Sequence, residues 1–434
     1  RGWDLSDAIS EGINVPDFIT SCPRVQSDSG EAVQGELIPA GTVPLGIGKV
    51  ETVKMVLNQH LNIRYNIITG KYEISKKGRS EFIDFHDRHI HSIRAVLLQY
   101  YIPQVSETDL RMVFESDFTL EYNPIQEYFS NIEPWDGVDN IAALAALVTP
   151  VPGQYGPDVD AVDTWKLYLT KWLVACVATM LQRYENHTCL TLLGGQGFGK
   201  TTFLRNLGFN EKYVYVGAID PGNKDSRILY SEKVIIVLDE LEGTTKHDIS
   251  ALKSNMTLRE VTVRRPYGRY TETLPRRASF CASANEVQVL GDLTGSRRWL
   301  CVEVQDVDYL SVTPELVRKV YSQALHLLES GFRYWFDRDE IQYLEKRNDH
   351  FKLSSAEEEG LFKVIYHPEK LPGTYIPEII TNTEIISMMS EKISGIKFSS
   401  RKLGQIMKKY GFERKCRSDD RLYGYEVVLK RVNS

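Results

Sequence analysis

The octapeptide Gly194-Gly195-Gln196-Gly197-Phe198-Gly199-Lys200-Thr201 constrains this chain more than any other stretch, because it fits GxxxxGK[ST]. An apolar run, Cys189 to Leu193, precedes it, and a helix opens behind it at Thr202-Phe203-Leu204. Strand, glycine loop and helix in that order are the context that a phosphate-binding loop requires. Glycines let backbone N–H groups curl around phosphate oxygens, and the helix start adds its positive dipole end. Lys200 then reaches the β and γ phosphates, while Thr201 is a candidate magnesium ligand. The expected ATP-binding residues are Gly194, Gly195, Gln196, Gly197, Phe198, Gly199, Lys200, Thr201 and Thr202. The alternative is a chance match in a glycine-rich turn.

The surrounding pattern predicts an α/β core. Strands are expected at Cys189 to Leu193, Tyr213 to Val216, Lys233 to Leu238, Ser279 to Ala282 and Trp299 to Val304, with helices between them. Lys233 to Leu238 ends in Asp239-Glu240, the Walker B pattern: Asp239 to hold magnesium, Glu240 to orient and deprotonate water. The third strand runs into Asn285, where an amide can sense a γ phosphate; the bland reading is an Asn in a turn. Arg297 and Arg298 precede the next strand and are candidate arginine fingers if subunits form a ring, or else a solvated pair.

At 434 residues the chain is expected to hold on the order of two or three domains. Residues 1–48 read as an arm or linker, 49–150 as a small mixed or helical domain, 151–350 as the motor domain, 351–376 as a linker and 377–434 as a basic winged-helix-like domain. No apolar run approaches the roughly 18 residues of a membrane span, and the six scattered cysteines fit a reducing cytoplasm. The chain starts at Arg1 without a secretory signal, as a piece of a longer protein would. Basic charge is segregated: Arg259 to Arg298 carries +4 and Lys392 to Arg417 carries +8, leaving −18 for the rest of a chain whose net charge is −6. Segregation of that kind suits a polyanion partner.

Several motifs resemble the virulence-associated E family. They are Arg264-Arg265-Pro266-Tyr267-Gly268-Arg269, Leu274-Pro275-Arg276-Arg277, Ser283-Ala284-Asn285-Glu286 and Thr294-Gly295-Ser296-Arg297-Arg298-Trp299. Upstream, Tyr122 to Tyr128 and Trp135-Asp136-Gly137-Val138 join them, so the likeness covers roughly residues 50 to 360. The resemblance implies a relative of superfamily 3 helicases and of the primase-helicases of phages and mobile elements. It implies an AAA+ type P-loop core, mostly parallel sheet with flanking helices, in a hexameric ring. A hairpin at Val261 to Arg277 would track DNA with Arg264, Arg265 and Arg269 near its tip; the alternative is a solvated or interface-paired loop. It also strengthens the roles of Asn285 and of Arg297 or Arg298. Many relatives carry a primase unit, but no primase acid cluster is evident in residues 1–150, and priming is not expected of this piece.

Asp84, His86, Asp87, His89 and His91 crowd one predicted helix start and read as a solvated face rather than a metal site. The C-terminal segment places Arg401, Lys402, Lys408 and Lys409 on a second helix and Arg414, Lys415 and Arg417 on a wing, either to bind DNA or merely to be solvated. Together these readings predict an ATP- and magnesium-dependent DNA helicase moving on single-stranded or forked DNA, partnered by a primase or other replication protein and by no membrane. The alternatives are a nucleotide-switched loader, initiator or defence sensor without unwinding activity, and a small-molecule kinase.

Overall fold

The computed structural model describes residues 48–430, except 101–103, 240, 242–245, 266–269, 291–295, 353–355, 369–370, 372–374, 394 and 420. The arm predicted over 1–48 (apart from Gly48), Glu240, Arg269 and the hairpin turn Pro266-Tyr267-Gly268 therefore lie outside the described residues. The chain divides into two compact units, of which the second takes Ile63–Glu73 and everything from Leu120 onward.

The first unit is built on helices α1 (Lys49–His60), α2 (Asp87–Tyr100) and α3 (Glu107–Phe114). Val53, Val56 and Leu57 recur at helical spacing on α1 and are buried, as are Leu110, Val113 and Phe114 on α3. Ser106 and Asp109 form a reciprocal capping box that starts α3. Strands β1 (Leu61–Asn66) and β2 (Lys71–Lys76) make a hairpin whose tip belongs to the second unit, and β3 (Ile83–Asp84) is short.

In the second unit, β4 (Leu120–Tyr122) pairs in parallel with β1. Helices α4 (Pro124–Ser130) and α5 (Asn140–Ala145) lead to β5 (Val148–Pro150), α6 (Ala161–Met180) and β6 (Cys189–Leu193). Then follow α7 (Lys200–Asn206), β7 (Val214–Val216), α8 (Lys224–Glu232), β8 (Ile235–Leu238), α9 (Lys246–Asn255), β9 (Glu260–Val263), β10 (Glu272–Pro275), β11 (Ser279–Ala284) and β12 (Trp299–Val307). Six strands form one sheet in the order β5-β12-β6-β11-β8-β7. All neighbours are parallel except β5, which runs antiparallel to β12.

Two apolar layers explain why these strands read as unbroken hydrophobic runs. Leu190, Leu192, Ile235, Val237, Cys281, Leu300 and Val302 face one core, and Cys189, Leu193, Ile236, Leu238, Phe280, Ala282 and Cys301 the other. Helix α6 fills the first layer with Trp165 and Trp172, whose indole N–H groups donate to the Ala145 and Phe280 carbonyls at 3.0 and 2.9 Å. The domain boundary expected near 150 is corrected here. Residues 120–150 belong with the sheet, because β5 closes its edge and α5 packs on α6.

Helices α10 (Pro314–Glu329) and α11 (Arg338–Arg347) complete that body. A third cluster then gathers α12 (Ala356–Val364), β13 (Glu378–Ile380), α13 (Asn382–Lys392), α14 (Ser400–Lys409), β14 (Arg414–Cys416) and β15 (Tyr423–Val427). The strands order as β13-β15-β14, all antiparallel. Helix, strand, two helices and a hairpin is the winged-helix order. The linker expected over 351–376 contains its first helix, since Leu361 and Val364 of α12 are buried against Met389, Leu403 and Met407.

Candidate phosphate-binding site

The loop between β6 and α7 is shaped by two close approaches that only glycine permits. At Gly194, φ is +140°, and an added Cβ would sit 2.4 Å from the Val304 carbonyl oxygen of the neighbouring strand. At Gly199, φ is +76°, and a Cβ would fall 2.0 Å from the Tyr309 ring. The Lys200 side chain is buried, and its ammonium donates to the carbonyls of Gly194 and Gly195 at 2.8 and 2.7 Å. It also lies 3.4 Å from the Asn285 amide oxygen, at the end of β11. Sheet order brings these groups together: β6 lies between β12 and β11, so the loops leaving its carboxyl edge and those of β11 and β8 open into one crevice.

A triangle of oxygens sits beside the lysine. Thr201 donates its hydroxyl to the Asp239 carboxylate at 2.9 Å, Ser283 donates to the same carboxylate oxygen at 2.7 Å, and the two hydroxyls are 3.0 Å apart. One carboxylate and two hydroxyls make an all-oxygen donor set, the kind that a hard cation such as magnesium takes. The donor set therefore fits magnesium. Gln196, Gly197, Gly199, Thr202, Ala284 and Tyr309 join these residues around a cavity of about 360 Å3. Thus Lys200, Thr201, Asp239 and Asn285, each read from sequence, converge on one cavity. Glu240 is outside the described residues.

Two participants escaped the sequence reading. Ser283 lies within a quoted motif, but its hydroxyl gains meaning only through Asp239, which is distant in sequence. Tyr309 follows a strand end with no motif around it, although its ring packs on the loop at Gly199.

Arg297 and Arg298 are not part of this cavity. They precede β12, whose Trp299 pairs with Cys189 at the amino end of β6. With strands rising about 3.3 Å per residue, the start of β12 lies roughly 16 Å from the loop along the sheet, and both arginines precede it. They line a separate groove with Tyr184, His187 and Trp335. Neither reaches the phosphate loop of its own chain.

The hairpin β9–β10 is observed, with Glu272 paired to Val263 and Pro275 to Glu260. Arg264 is exposed near its end, and so is Tyr270, an aromatic that went unread because only the arginines were weighed. Arg265 is a correction to the expected DNA contacts. Its guanidinium pairs with Glu232 at 2.8 Å and Glu272 at 3.3 Å and donates to the Thr69 carbonyl at 3.0 Å, leaving the side chain 11% exposed. Arg276 and Arg277 are buried as well. Arg276 donates to the carbonyls of Leu258, Ala278 and Asn186 and so fastens the hairpin base. On α14, Arg401, Lys402, Lys408 and Lys409 are all exposed, and two of them lie beside acids: Lys409 pairs with Glu358 at 2.9 Å and Lys402 with Glu357 at 3.7 Å.

No described helix is long and apolar enough to cross a membrane. No curated protein matches the chain. Among solved structures, the apo C-terminal region of NrS-1 is similar at 14% identity and a TM-score of 0.45, covering 88% of this chain and 99% of that one. Its A form matches at 14% identity and 0.41, with the same coverage. The sequence profile of the virulence-associated protein E-like domain matches residues 131–353, just over half of the chain and the whole span from α5 through β12 to α11. The chain belongs to the virulence-associated protein E-like family.

Proposed function

We propose that this chain is a magnesium-dependent ATPase that moves on single-stranded DNA as a ring of identical subunits, in the replication of a phage or mobile element. The observation that carries the reading is the convergence of Lys200, Thr201, Asp239, Ser283 and Asn285 from three strand ends on one glycine-lined cavity. Family membership supports it.

In this reading Lys200 exchanges its loop carbonyls for β- and γ-phosphate oxygens. Thr201 and Asp239, with Ser283, would hold a magnesium ion, which would supply positive charge beside the phosphates. Asn285 orients a water towards the γ phosphorus. Glu240 takes that water's proton as the new P–O bond forms and the bond to the departing diphosphate breaks. Arg297 or Arg298 serves the site of an adjacent subunit, since neither reaches its own. Arg264 and Arg269, with Tyr270, contact the strand.

Hydrolysis and DNA binding test the proposal together. Lys200→Ala is expected to abolish hydrolysis, and Glu240→Gln to retain bound ATP. An unmodified chain whose ATPase ignores single-stranded DNA, and which cannot displace a strand from a fork, would leave a nucleotide switch but no motor.

A further inference from the structure

Helix α14 presents two separate basic stripes, and one of them lies beside acids of its own domain. At about 100° per residue, Arg401, Gln405 and Lys408 fall within about 60° of one another, opposite the buried Leu403, Ile406 and Met407. Lys402 and Lys409 fall on a second line roughly 90° away, where they meet Glu357 and Glu358 of α12. The second pair thus fastens the helix to its own domain. The first stripe is exposed along its length, and α14 contains no acid.

The adjacent wing follows the same division. Lys415 pairs with Glu426 at 2.6 Å and Arg417 with Glu384 at 2.9 Å, whereas Arg414 is exposed over the Tyr423 ring and Arg421 is exposed in the turn. Lys392 and Lys397 are exposed on the approach to α14.

We infer that α14 is a reading helix for duplex DNA, with Arg401 and Gln405 at base edges and Lys408 and Arg414 on phosphates. This second nucleic-acid site is separate from the single-strand contacts of the ATPase reading. The chemistry fits: the major groove, about 12 Å wide, admits one helix. Arg and Gln are the side chains that match guanine and adenine edges with two hydrogen bonds each. Residues near the start of the second helix of such a pair make those contacts, and a basic hairpin flanks them on the backbone.

The test uses the described chain with fluorescein-labelled duplex DNA of random sequence, read by anisotropy without nucleotide, followed by selection from a randomised duplex pool. The double variant Arg401→Ala/Lys408→Ala is expected to bind duplex at least about tenfold more weakly, with a salt slope lower by about 2. Lys402→Ala should change affinity by no more than about twofold, because that side chain already serves an acid. Gln405→Ala should leave the random-duplex affinity in place while flattening the selected sequence preference. Single-strand-stimulated ATP hydrolysis should persist in all three, which separates this inference from the ATPase reading. Lack of duplex affinity in the unmodified chain, an undiminished double variant, or an equal loss from Lys402→Ala would each overturn it.

Discussion

Gly199 and Tyr309 offer a sharp test of how the loop is held. Two costs meet in Gly199→Ala, and they are separable. The first is conformational: φ of +76° lies in the left-handed region, which costs an alanine about 1–2 kcal/mol. The second is steric. The new methyl would fall 2.0 Å from one ring carbon of Tyr309 and 2.8 Å from another, so the ring must leave the loop, an overpacking cost of about 1–3 kcal/mol. Together they weaken the folded loop by about 2–5 kcal/mol. Removing the ring in Gly199→Ala/Tyr309→Ala cancels only the second cost. Titration with a fluorescent ATP analogue, and thermal melting without it, should therefore rank the single variant lowest and the double variant above it. The recovered affinity should be about 5- to 150-fold, which corresponds to 1–3 kcal/mol. A double variant no better than Gly199→Ala would mean that the ring does not press on the loop. Gly197→Ala is the control, because its φ is +89° but nothing lies within 4 Å of the added methyl, so only the first cost applies.

Three further outcomes follow from contacts outside that loop. Ser283→Ala removes two hydroxyl contacts to Thr201 and Asp239 and should raise the magnesium concentration needed for half-maximal hydrolysis about tenfold; a normal magnesium dependence would exclude Ser283 from the site. Tyr270→Ala should weaken single-stranded DNA binding by about 1–3 kcal/mol if the exposed ring stacks on a base, whereas unchanged anisotropy would leave the hairpin's contacts to its arginines. Burial raises the Glu73 carboxyl, but bonds from Lys212, Asn66 and Arg64 outweigh it and hold the group below its ordinary value of 4.5. Its stabilisation is present above that value and lost as pH falls through the depressed one, so Glu73→Gln should cost about 1–3 kcal/mol at neutral pH and converge with the unmodified chain in acid denaturation.

Much of the central sheet was legible because its strands are buried on both faces. Cys189–Leu193 is apolar throughout apart from Thr191, and no period of 3.6 competes with the strand reading. Trp299–Val307 ran past its expected end at Val304, since its last residues pair with β5 rather than β6. That partner was the piece that could not be read. Val148–Pro150 is a three-residue strand containing a proline, and only its position at the sheet edge, where a missing N–H does no harm, makes it a strand at all. Helix α12 was missed for another reason: Glu357, Glu358 and Glu359 in its first turn resemble a solvated tether, yet two of them are buried against basic residues of α14.

The same physics limits what a charge count can say about a binding surface. Net charge by segment locates cations in the sequence, but a cation matters to a polyanion only if the fold leaves it facing outward. In the arginine-rich segment Arg265 is held by Glu232 and Glu272, and Arg276 donates to the backbone carbonyls of Leu258, Ala278 and Asn186 in the interior. Burial draws Arg276 down to about 10, still far above neutrality, so the charge persists but serves the fold. Arg264, Tyr270 and Thr271 are exposed near the end of that hairpin. In the C-terminal segment the cations of one helix differ in what lies beside them, and a step of a single residue leads from Arg401 to Lys402, which is equally exposed but sits 3.7 Å from Glu357. Charge reversal at Lys402 and at Arg401 should thus act on different properties, domain stability in the first case and duplex affinity in the second, although the two are neighbours in the chain.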